Sequence, residues 1–145
     1  MSRATDAAEK MARSQMNCAQ SVLSVFCEEL GLDKPTALKI ALAFGAGMGR
    51  TGGICGAVTG AYMVLGMRPY SELSSPAEKK EKVYSQVKEF NRRFTALNKS
   101  IDCSDLLGCD LSKPDGLATA RANKVFSTVC AKLVADAVNI LEELS

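Results

Sequence analysis

Histidine is absent from this 145-residue sequence. That removes the commonest general base and the commonest metal ligand of proteins. Nor does any Cys-x-x-Cys pair occur among the six cysteines, Cys18, Cys27, Cys55, Cys103, Cys109 and Cys130. Neither a thioredoxin motif nor a zinc ribbon is therefore present, and fifteen pairings would be open if all six were oxidised. Neither sign of charge dominates, with 18 Lys and Arg against 16 Asp and Glu. The basic residues are scattered, so charge gives no argument for nucleic acid. The longest apolar run, Ile54 to Met67, is too short and too rich in glycine for a membrane span. The first fifteen residues lack the apolar core of a signal peptide. These absences predict a cytoplasmic protein without membrane insertion, its thiols kept mostly reduced. No segment alternates with a strand's period, and no Gly-Lys-Ser/Thr completes a P-loop.

What the sequence does hold is a concentration of glycine. Phe44 to Met67 contains Gly45, Gly47, Gly49, Gly52, Gly53, Gly56, Gly60 and Gly66, most of the chain's 11 glycines. So many in one stretch predict a tight bend followed by a closely packed segment. We read residues 45–53 as a loop and 53–67 as a helix. Cys55 then falls in the first helical turn, where free N–H groups and the dipole favour an anion and lower a thiol's pKa. Arg50 could add positive charge. Gly47-x-Gly49-x-x-Gly52 fits the dinucleotide fingerprint, but that fingerprint needs a preceding strand, and residues 35–44 read as helix. Gly56 and Gly60 share a helix face and predict close packing.

Elsewhere the apolar period is helical. Ala12, Met16, Ala19, Leu23, Phe26 and Leu30 mark a helix over 5–30, stopped at Gly31. Cys18 lies beside this stripe and Cys27 reads as core. Asp33 and Pro35 open a second helix. Ser75-Pro76-Ala77-Glu78 is a strong start for a third, with Val83, Val87, Phe90, Phe94 and Leu97 on one face. Residues 101–116 read as loop with one short turn at 104–107. A final helix is predicted from about Asn123 to Leu144, with Cys130 inside its apolar stripe. The sum is an all-α single domain, 1–145, a bundle of about five helices with a glycine-rich loop leading into a central helix.

Cys55-Gly56-Ala57-Val58-Thr59-Gly60 resembles the central motif of the C_GCAxxG_C_C family of redox-active proteins. NCAQSVL at 17–23, IDCSDLLGCDL at 101–111 and VCAKLVADAVNIL at 129–141 resemble its other blocks, so nearly the whole chain is covered. The resemblance implies that Cys18, Cys55, Cys103 and Cys130 are the family cysteines and that Cys27 and Cys109 are extra.

Three readings follow, in order. In the first, Cys55 attacks as a thiolate, one of Cys18, Cys103 or Cys130 resolves it, and Arg50, Gly52, Gly53 and Gly56 form the surrounding binding loop. In the second, Cys18, Cys55, Cys103 and Cys130 ligate a metal; with no histidine, an all-cysteine iron–sulfur cluster or zinc site is what this chain can build. In the third, the cysteines are core and the function lies with a partner. The sequence names no redox partner or substrate, and its apolar helical faces leave a homodimer open.

Overall fold

The structure, a computed structural model, describes residues 2–13, 15–73 and 75–144. Among them are eight right-handed α-helices and no strand: α1 (Arg3–Ala12), α2 (Cys18–Ser24), α3 (Lys34–Ala41), α4 (Gly56–Met67), α5 (Pro76–Asn98), α6 (Cys103–Leu107), α7 (Pro114–Ala122) and α8 (Val129–Glu143). The all-α architecture is as expected. The count of about five is too low, for local reasons.

The predicted helix 5–30 is two helices. Ser14 lies outside the described residues, but Asn17 shows why the second helix starts where it does. Its side chain accepts from the Gln20 amide at 2.9 Å, and the Asn17 amide donates to the Gln20 side chain at 3.0 Å. This reciprocal capping box satisfies N–H groups that a starting helix leaves unpaired. Residues 114–116, expected as loop, and 117–122, left without a reading, form α7 with Pro114 in its first turn. The final helix starts at Val129 rather than Asn123, after a run of turns. Asp33 and Ser75 cap α3 and α5 as expected, accepting from Thr36 and Glu78 amides at 3.1 Å each.

The stretch expected as loop contains an uncommon element. Ala46, Gly47, Met48 and Gly49 all have φ between 56° and 71° and ψ between 37° and 58°. They make a left-handed helical turn spanning Gly45–Arg50, and Arg50 keeps a positive φ of 67°. Each non-glycine residue so placed is strained by about 1–2 kcal/mol. Hydrogen bonds hold the turn: the Gly53 amide and the Thr51 hydroxyl both donate to the Gly47 carbonyl at 2.9 Å. A Cβ on Gly47 would lie 2.6 Å from the Cys103 Cβ, so glycine is needed there for space as well as conformation.

Helix α4 is central. It packs on α2, α5 and α8 and buries Ala57, Val58, Gly60, Ala61, Val64 and Leu65. The expected close packing at Gly56 and Gly60 is present. A Cβ on Gly60 would stand 2.8 Å from the Ala19 carbonyl, which lets α2 lie directly against α4. Helix α8 closes the bundle, with its buried face against α1, α4 and α5. Phe90 and Phe94 anchor α5 with stacked rings 5.7 Å apart, while Leu97, expected on the same stripe, is exposed. A smaller cluster, Cys103, Leu111, Ala120 and Val125, forms beneath residues 101–126. No described helix is long and apolar enough to cross a membrane.

Candidate functional site

Where the main core meets the smaller cluster there is a cavity of about 440 Å³. Cys18, Cys55, Cys103 and Cys130 all line it. Each stands in the opening turn of a different helix: Cys18 begins α2, Cys55 is the residue before α4, Cys103 begins α6 and Cys130 is second in α8. Far apart in sequence, they share one cavity because four helices start around it. All four are reduced and buried, 5–6% exposed. Cys27 lies outside the cavity, fully buried, its thiol donating to the Ser24 carbonyl at 3.5 Å. Cys109 is half-buried beside the Cys103 cluster.

Two short backbone contacts place Cys55 against Cys103. The Cys55 amide donates to the Ile101 carbonyl and the Cys103 amide to the Gly53 carbonyl, both at 2.8 Å. They flank an isolated antiparallel bridge between Ile54 and Asp102. In such a pairing residues 53, 55, 101 and 103 share a face, so Cys55 and Cys103 are diagonal neighbours. No strand period announces this bridge, because one residue on each side makes it.

Cys18 also stands beside the start of α4. The Cys18 Sγ rests against the backbone of Gly56, where a Cβ would be 2.7 Å from it. Cys18 lies near enough to Cys55, Cys103 and Cys130 to raise the pKa of each. The thiols thus converge with Cys18 at the centre. They do not converge on one point: among the described residues no three Cys, Asp or Glu side chains could hold a metal ion together. The four-thiolate ligand set is not assembled in this structure.

Electrostatics corrects one expectation. Burial pushes the Cys55 thiol well above its ordinary range, and the nearby Cys18 and Cys103 raise it further. The Ala57 and Val58 amides pull the other way, although no cap hydrogen bond of normal geometry closes on the Cys55 side chain. Desolvation of a buried anion outweighs the helix N-terminus. Cys103 is raised to about 12 and Cys130 is raised as well, burial leading in both. Burial thus holds Cys55, Cys103 and Cys130 toward the neutral thiol rather than pre-ionising them.

The expected binding loop divides. Gly56 lines the cavity, and so does Arg50 at its exposed rim. Gly52 and Gly53 lie outside the lining: Gly53 holds the Cys103 amide, and Gly52 has a φ of +76°. The GxGxxG glycines serve the left-handed turn, which follows α3 and a short 3-10 turn rather than a strand. Arg121, at the end of α7, also lines the cavity and was not foreseen. No motif in the sequence marks it, and the later part of its helix, 117–122, carried no reading.

A family described as "Putative redox-active protein (C_GCAxxG_C_C)" matches residues 16–144. The chain belongs to the C_GCAxxG_C_C family. Cys18, Cys55, Cys103 and Cys130 lie within the matched span, as does every residue lining the cavity except Met11. A relative from Archaeoglobus fulgidus, named only as an uncharacterized protein, is 31% identical over 97 residues. That alignment covers 62% of this chain and 64% of the relative, so the chain spans less than two thirds of that protein's length. No solved structure matches the chain.

Proposed function

We propose that this member of the C_GCAxxG_C_C family is a thiol–disulfide redox protein, with Cys55 as the attacking thiol and Cys18 as the resolving one. The observation that carries the reading is the convergence of four family cysteines from four helices on one cavity. Buried cysteines scattered as core would have no reason to face one open space. Cys18 is preferred as resolver because its sulfur lies against Gly56, the residue next to Cys55. Attack proceeds as the Cys55 thiol loses its proton; the Ala57 and Val58 amides at the start of α4 stabilise the anion formed. A reducing, cytoplasmic setting would return the pair to dithiol.

Replacing Cys18 with Ser tests the assignment. A mixed disulfide formed at Cys55 would then have no resolver and accumulate, visible as a mass adduct mapping to Cys55. An adduct that resolves as fast as in the parent protein would move the resolving role to Cys103 or Cys130. Native mass spectrometry of protein purified without oxygen tests the chemistry itself. A bare chain that loses two hydrogens on mild oxidation supports the thiol pair, whereas retained zinc, or iron with sulfide, would replace it with the ligand reading.

A further inference from the structure

We infer that the compound exchanging electrons with the Cys18–Cys55 pair is a small organic disulfide or thiol carrying carboxylates, held by Arg50 and Arg121, and not a second protein. The inference rests on the thiol–disulfide reading and names its substrate class.

Access is the first argument. The four sulfurs stand inside a cavity and belong to residues only 5–6% exposed. Such sulfurs are recessed from the surface that a folded partner's disulfide would meet. A cavity of about 440 Å³ suits a small molecule. Charge is the second argument. Among the described lining residues there is no Asp or Glu, and the charged groups are Arg50 and Arg121. Both are exposed, and neither side chain makes an ion pair or hydrogen bond with a described residue. Two uncompensated guanidiniums at the mouth of a largely apolar space select an anion with an apolar body. Leu107, Leu111, Phe126 and Leu133 supply walls for that body.

The exchange balances without a further reagent. The Cys55 sulfur, having lost its proton, attacks one sulfur of the small disulfide; its S–S bond breaks and the first small thiolate leaves. The Cys18 sulfur, losing its proton, attacks Cys55 of the mixed disulfide and releases the second. Two protein thiols become one disulfide, two electrons pass to the small compound, and two protons make it two thiols. The reverse sequence reduces the protein.

The test compares three disulfides on the reduced full-length protein: dianionic dithiobis-nitrobenzoate, neutral dithiodipyridine and dicationic cystamine. Loss of the Cys55 thiol is followed by quenched alkylation and peptide mapping, so the half-buried Cys109 does not enter the readout. Each rate is divided by that of a free small thiol. We expect the dianion to be favoured over the dication by about tenfold or more, and the preference to shrink with added salt. Arg50→Gln with Arg121→Gln should remove the preference for the dianion over the dication. Equal normalised rates, or a preference that survives in the double variant or is indifferent to salt, would overturn the inference and leave the thiol reading standing. Failure of all three compounds to oxidise Cys55 would overturn both.

Discussion

Gly56 is the residue on which the site's geometry is most exposed to a single change. Alanine is a better helix former, and on propensity alone Gly56→Ala at the start of α4 should stabilise. Here its Cβ would stand 2.7 Å from the Cys18 Sγ and 3.0 Å from the Ala19 amide. Overpacking of that kind costs about 1–3 kcal/mol. Gly56→Ala should therefore lower the urea midpoint and slow Cys18-dependent resolution together; a raised midpoint would show that α2 yields freely. The sequence displayed Cys55, its family partners and the packing role of Gly56 and Gly60. It did not display the electrostatic state of the thiols. A helix N-terminus is a local feature, whereas desolvation depends on the α2 and α8 residues that cover Cys55.

The left-handed turn and the start of α2 carry the predictions at the scale of elements. Met48 is 40% exposed and sits at φ 68°. Met48→Gly relieves left-handed strain and, after glycine's greater loss of freedom on folding, should stabilise by about 0.5–1 kcal/mol. Gly47→Ala should destabilise by more than that, since its Cβ would also meet Cys103. Opposite shifts of the denaturation midpoint are the expected result, and shifts of one sign would refute the conformational account. Asn17→Ala removes the α2 cap and the bond from the Asn17 amide group to the Leu42 carbonyl at 2.9 Å, and should cost about 1–2 kcal/mol by the same measurement. Both features bear on what could be read beforehand. Asn17 followed three residues on by Gln20 is a capping signal, legible but overridden by an apolar stripe that ran through it. Ala46 and Met48 in left-handed conformation have no local signal, since tertiary packing around Gly47 and Cys103 enforces them. The short α7 was hidden in a polar segment whose helical period is weak.

For the molecule as a whole, the buried thiols tie stability to pH. In the unfolded chain a cysteine titrates near its ordinary value of 9.0; in the fold Cys103 is raised to about 12, and Cys55 and Cys130 are raised too. Below the unfolded value both states hold their protons, and the stabilising contribution is complete. Above it the unfolded thiols ionise first, so stability falls progressively until the folded pKa is passed. Urea unfolding between about pH 7 and 10.5 should show this decline, and a Cys55→Ser, Cys103→Ser double variant should flatten it. A slope unchanged in that variant would assign the alkaline loss to other groups. The helical class was plain from periodicity and the resemblance named the four cysteines, but their sharing one cavity was not legible, because they come from widely separated segments that only the packing of α2, α4, α6 and α8 unites. That arrangement has a consequence for biosynthesis. Helix α8, which brings Cys130 and Leu133 to the cavity, is translated after every other wall. A chain still on the ribosome exposes Cys18 and Cys55 together, without the cover that later shields them. Oxidants met then could join cysteines that the finished fold keeps apart. A cross-link of that kind must be exchanged before α8 can close over the cavity.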